Sequence, residues 1–267
     1  MRAGSRGLQR AAALVLAATS LAGAVLVTGN ALARQTLTFP GESESDTGGA
    51  VPVVPDGRSL DSQQPPGGFD SDTVDALVRA HARYVEAGDG ERALQSAQLL
   101  RELHEARYGA DAREVLPWVK VHAYAYKRVG RLEEAQGAFE RAVLLTERYE
   151  GPFSYSLVEL LMSQGQMLYE LGRREQAESA LLRAKFITHR RLGINNLEQV
   201  PVVRALTAFY LRTFSGEKAE REQQFLLRIY ERNYGETPAL VDGLYGHAGY
   251  YMSIGDYQSA LPVYRRA

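Results

Sequence analysis

One junction returns along this chain at a fixed interval. The stretch RYG closes at Gly109, RYEG at Gly151, RRLG at Gly193 and RNYG at Gly235, each 42 residues after the one before. Alanines keep the same step at Ala93, Ala135, Ala177 and Ala219, and Ala260 follows after 41. Five residues before each alanine stand Gly88, Gly130, Gly172, Phe214 and Gly255; nine before stand Tyr84, Tyr126, Leu168, Tyr210 and Tyr251. A period of this size marks a supersecondary unit repeated in series. One such unit cannot hide its apolar surface alone, so each buries it against the next.

The physics of one unit follows from these landmarks. The aromatic lies one turn before the end of a first helix, and the glycine closes that helix in the left-handed conformation that side chains resist. A second helix then returns antiparallel, and the alanine marks the close approach of the two backbones. Second helices are expected to run about 17 residues, as in 132–148. Pro117 and Pro201 fall early in first helices, where the missing N–H has no partner to lose. Phe214 breaks the glycine series, and SGE at 215–217 is expected to supply a substitute turn.

These residues resemble the tetratricopeptide (TPR) signature. The set Tyr126, Gly130, Ala135, Phe139, Ala142 is similar to it. So is Leu161, Gly165, Gly172, Ala177, Leu181, Ala184, and again Leu244, Ala248, Tyr251, Gly255, Tyr257, Ala260, Tyr264, Ala267. The long period and the Tyr-Gly junction resemble the kinesin-light-chain type of repeat. The unit from 72 departs at Ala97, which stands where an aromatic is usual, and the unit from 197 departs at Phe214 and Gln223. The resemblance implies an all-α fold, a right-handed superhelical TPR solenoid of about five helix-turn-helix repeats. Units are expected at about 72–109, 110–151, 152–193, 194–235 and 236–267.

Ahead of the repeats lie two different materials. Arg2, Arg6 and Arg10 precede the apolar run 11–28, and ALA at 31–33 offers small residues at a cleavage site. This is the layout of a secretory signal peptide over 1–33, cut before Arg34. An uncleaved inner-membrane anchor is the alternative, but the run is short and diluted by Thr19, Ser20 and Gly23. Residues 34–70, rich in Gly, Pro, Ser and Asp, have no helical or alternating period. They read as a disordered linker. A periplasmic or secreted bacterial protein is the expectation.

Composition closes off several chemistries. There is no cysteine, which excludes disulfides, thiolate metal sites and a cysteine nucleophile. The five histidines, His81, His104, His122, His189 and His247, show no i, i+4 pairing with another ligand histidine. His81, His122 and His247 fall near the packing side of first helices. No phosphate loop, nucleophile elbow or dinucleotide fingerprint appears. Glu133 and Glu134 read as a solvated helix start. Net charge is −1 for the whole chain and −4 without residues 1–33, which argues against nucleic acid. No enzyme, cofactor or metal site is expected, and membrane contact only through an uncleaved signal segment.

In arrays of the resembled type, first helices line a concave face that holds a partner segment. Counted from the alanine landmarks, that face carries Lys120, Tyr124, Lys127 and Arg128 in the second unit. It carries Gln166 and Tyr169 in the third, and Arg204 and Arg212 in the fourth. The expected occupant is an acidic peptide or C-terminal carboxylate held by the basic residues against rigid tyrosines. Ordinary solvated helix faces are the competing reading for each residue taken singly. The carboxylate clamp of chaperone-binding members sets asparagines beside its basic residues, and no first helix here has one. The last second helix begins near Asp256 and has no polar cap after it. Two expectations follow: self-association through Tyr257, Leu261 and Tyr264, or a chain that is the scaffold or receptor part of a larger envelope protein. Arrays resembling this one can precede a TonB-like energy-transducing domain or an envelope enzyme.

Overall fold

The structure, a computed structural model, describes residues 71–267; the expected signal peptide 1–33 and the expected linker 34–70 lie outside the described residues. Among the described residues ten α-helices follow one another and no strand occurs. They are α1 (Ser71–Glu86), α2 (Gly90–Tyr108), α3 (Leu116–Arg128), α4 (Leu132–Glu150) and α5 (Ser156–Glu170). Then come α6 (Arg174–Leu192), α7 (Val200–Arg212), α8 (Gly216–Tyr234), α9 (Leu240–Ser253) and α10 (Tyr257–Arg266). Odd-numbered helices are first helices of the repeat and even-numbered ones are second helices.

The junctions behave as their spacing demands. Gly109, Gly151, Gly193 and Gly235 follow α2, α4, α6 and α8 with φ of 90°, 93°, 91° and 56°. Those second helices run 19 residues each, longer than expected. They continue to the residue before the glycine, so that the glycine N–H still closes on the carbonyl four residues back, as in Gly151 to Glu147 at 2.9 Å. Short 3-10 turns, Arg113–Val115 and Leu197–Gln199, lead into α3 and α7, and Pro117 and Pro201 sit in the first turns of those helices.

The turn after α7 differs from expectation. Phe214 itself takes the left-handed conformation, with φ of 57°, in place of a displaced turn at 215–217. The Ser215 N–H donates to the Tyr210 carbonyl at 2.8 Å. Arg173 to Leu168, at 2.8 Å, and Asp256 to Tyr251, at 2.9 Å, make the same bond in glycine-bearing turns. The hydrogen-bonded closure is retained, and Phe214, 94% exposed, bears the backbone strain.

The chain divides into two compact units, one up to Val129 and one from Gly130, a boundary inside the sequence unit 110–151. In the first, α2 packs on α1 and on α3. Leu94, Leu100, Trp118 and Val121 form its core with Val74 and Val78. The His104 ring lies 4.7 Å from Trp118, tilted by 34°, and its Nδ1 lies 2.7 Å from the Leu100 carbonyl. In the second unit each helix from α4 to α10 packs on the next, and α5 also touches α7. Ala177, Ala219 and Ala260 are fully buried between their paired helices, as their spacing implies. At Gly165 a Cβ would stand 2.8 Å from Leu181 Cγ and 3.2 Å from the Ala177 carbonyl oxygen, so α5 approaches α6 as closely as glycine permits.

Candidate functional site

In the second unit, consecutive first helices α5 and α7 bring two of the expected site residues together. Tyr169 stands in the last turn of α5, half-buried. Arg212 closes α7 and holds its guanidinium 5.6 Å from the centre of the Tyr169 ring. Phe209 meets the same ring edge-on at 5.9 Å. Neither contact is local in sequence; both exist because α5 and α7 occupy adjacent repeats.

A polar network supports this group from the second-helix side. The Tyr210 hydroxyl donates to Glu178 Oε1 at 2.9 Å, and Lys218 Nζ donates to the same oxygen at 2.7 Å. The hydrogen bond from Lys218 holds the Glu178 carboxyl below its usual range, while burial and then Glu178 push the Tyr210 phenol up. The carboxylate is therefore charged and the phenol protonated at neutral pH. Tyr210 packs at 5.5 Å from Phe209, so the network fixes the ring that props Tyr169.

The remaining residues divide. Gln166 lies one turn before Tyr169 on α5, half-buried on the same side. Arg204 is exposed but committed elsewhere: its Nη2 donates to the Tyr230 hydroxyl of α8 at 3.1 Å. The Tyr230 ring fills the space that a Cβ at Gly243 of α9 would need, at 2.6 Å. Lys120, Tyr124, Lys127 and Arg128 belong to the first unit and line one side of α3 at i, i+4, i+7 and i+8. The first three are half-buried and Arg128 is exposed. Arg128 lies near enough to His81 of α1 to oppose its protonation. Sequence reasoning missed Phe209 and Tyr230, because no periodic signal marks a contact between side chains 26 or 40 residues apart.

Four histidines, His81, His104, His122 and His247, are buried in helix packing. Among the described residues no three metal-ligating side chains come together, and no helix is long and apolar enough to cross a membrane.

The family model for the tetratricopeptide repeat matches residues 117–185. Residues 117–185 carry tetratricopeptide repeats. The solved TPR structures it is similar to include a putative kinesin light chain from Podosopora anserina with nearly identical TPR-like repeats. That pair has a TM-score of 0.63 at 15% identity, over 74% of this chain and 95% of that one. A single-substitution variant of the same protein gives 0.62 at 15%, over 73% and 92%. BtubC (BKLC) from P. vanneervenii gives 0.50 at 18% identity, over 73% and 88%. Comparison with curated proteins returns no match. The TPR fold is that of a protein–protein interaction scaffold.

Proposed function

We propose that this TPR chain is an exported bacterial envelope protein that binds an acidic partner segment on its first-helix face. The observation that carries the reading is the Arg212–Tyr169–Phe209 group. A guanidinium over a half-buried ring offers donors to a carboxylate, and the ring offers rigid apolar area beside them. The basic side of α3 is a second strip of the same chemistry in the first unit. Export rests on the basic, apolar and small-residue order of residues 1–33. Self-association through α10 is carried alongside, since Tyr257, Leu261 and Tyr264 are exposed there.

The test is an envelope pull-down with the wild-type chain beside an Arg212→Glu, Tyr169→Ala variant and a Lys127→Glu, Arg128→Glu variant. Circular dichroism checks that each is folded. A partner lost only in the first variant places binding on α5 and α7; a partner lost only in the second places it on α3. A partner retained equally by all three refutes the first-helix reading.

A further inference from the structure

First and second helices differ in how their charges are arranged. Residues 115–132, which hold α3, carry Lys120, Lys127, Arg128 and Arg131 and no acid. Residues 149–172, which hold α5, carry Glu150, Glu159 and Glu170 and no lysine or arginine. Residues 199–216, around α7, carry Arg204 and Arg212 and no acid. Residues 233–256, around α9, carry Glu236, Asp242 and Asp256 and no lysine or arginine. From α3 onward each first helix therefore has one sign, and the sign reverses at every repeat. The second helices α4, α6 and α8 mix both signs along their length.

In the second unit a basic first helix thus stands between two acidic ones. Glu159 of α5, Arg204 of α7 and Asp242 of α9 are exposed. Glu159 and Asp242 each precede their landmark alanine by 18 residues; Arg204 precedes its own by 15, one turn further along the same side. Neither carboxylate has an ion pair among the described residues. Arg204 is held by the Tyr230 hydroxyl, which fixes the guanidinium without cancelling its charge. Apart from Arg212, every other lysine or arginine of this unit stands on a second helix or on the turn that opens one. Several are engaged there. Arg173 donates to Gln136 beside α4's start, Arg183 pairs with Glu147 of α4, Lys185 with Glu222 of α8 and Lys218 with Glu178 of α6.

We infer that the partner segment crossing α5, α7 and α9 is extended and carries a base, an acid and a base, each three residues after the last. The inference rests on the first-helix reading and narrows its partner from an acidic segment to one whose acid is flanked by bases. Packed helices lie about 8–10 Å apart, and α5 touches α7. A chain in the polyproline conformation rises about 3.1 Å per residue with three residues per turn. Its residues i, i+3 and i+6 therefore point one way at steps of about 9 Å, which is the helix spacing. The central acid meets Arg204, with Arg212 further along the same helix, and the flanking bases meet Glu159 and Asp242. A strand of uniform negative charge, whether nucleic acid or an all-acidic peptide, meets its own sign on α5 and on α9.

Three fluorescein-labelled peptides, titrated with the full chain and read by fluorescence polarisation, test the order of charge. All share leucine-proline spacers: Lys-Leu-Pro-Glu-Leu-Pro-Lys, its inverse Glu-Leu-Pro-Lys-Leu-Pro-Glu, and the all-acidic Glu-Leu-Pro-Glu-Leu-Pro-Glu. Exposed ion pairs contribute about twofold to fivefold each. The parent should therefore bind the first peptide at least about tenfold tighter than the other two, a preference lost in about 0.5 M salt. In the Glu159→Lys, Asp242→Lys protein the all-acidic peptide should become the tightest, a gain that misfolding cannot imitate. If the parent prefers the all-acidic peptide, this order of charge is overturned while the acidic first-helix reading stands. The inference also falls if the three bind the parent equally or not at all, or if the double substitution leaves their ranking unchanged; the Arg212→Glu, Tyr169→Ala pull-down then decides the first-helix reading by itself.

Discussion

His81 and Ser96 lock α1 to α2: His81 Nδ1 lies 2.8 Å from Ser96 Oγ, and that hydroxyl donates to the Ala93 carbonyl at 2.9 Å. With its proton spent on Ala93, Ser96 Oγ accepts from Nδ1–H, which leaves Nε2 as the unprotonated nitrogen. Nε2 is buried and has no hydrogen-bond partner among the described residues. At the matching place in other repeats stand Ala123, Gly165, Thr207 and Ala248, so the first repeat replaces small-residue packing with a polar tie.

That tie makes the first unit sensitive to acid. Burial, followed by the Ala93 bond in opposition and by Arg128, brings the His81 pKa down from 6.5 to about 4. The folded state thus favours neutral His81. Above pH 6.5 both states are neutral and nothing is lost; between 6.5 and 4 the unfolded chain binds the proton first, and stability falls. The loss over that window should approach about 3 kcal/mol, at roughly 1.4 kcal/mol per pH unit. Burial lowers the His104 pKa as well and adds in the same direction. Urea unfolding across the window should show a shallower pH dependence in His81→Gln than in the parent; equal slopes would remove His81 from the account.

Phe214→Gly should stabilise the second unit. The ring is almost wholly exposed and makes little packing to lose, while its backbone sits at φ 57°. Relief of the left-handed strain, about 1–2 kcal/mol, exceeds the extra chain entropy of glycine, about 0.5–1 kcal/mol. A rise in thermal midpoint is expected, and a fall would show that the ring packs in solution.

Two glycine-to-alanine substitutions should move in opposite directions. At Gly165 the new methyl meets Leu181 and the Ala177 carbonyl, and a loss of about 1–3 kcal/mol is expected. At Gly137, inside α4, nothing lies within 4 Å, and alanine should add up to about 1 kcal/mol of helix stability. Denaturant midpoints of the two variants check the contrast.

Gln223→Leu should stabilise α8. Gln223 occupies the position that Phe139 and Leu181 hold in other repeats. It is 8% exposed, and its Oε1 is buried without a hydrogen-bond partner among the described residues. Removing that group and adding apolar contact should contribute about 1–2 kcal/mol. An unchanged midpoint in urea would mean that the amide is solvated there.

The periodic elements were legible in the sequence because each depends on a local or fixed-interval requirement. A helix that must reverse needs a left-handed residue, which explains Gly130, Gly172 and Gly255. A close backbone crossing needs a small side chain, which explains Ala177 and Ala219. The same frame held the alternating signs of α3, α5, α7 and α9. They went unread because a charge belongs to one helix only once the helix ends are fixed.

By itself the sequence determined the repeat: its period, the order of its helices, its junctions and the residues that must be small. These are set by backbone sterics and by amphipathic spacing, which act over a turn or one helix pair. The tertiary structure alone decided that Arg212 settles over Tyr169, that Arg204 is drawn to Tyr230, and that Phe214 bears the turn which glycine makes elsewhere. These outcomes depend on which side chains from separate helices arrive at one place. Many pairings are compatible with one periodic pattern, and only packing selects among them.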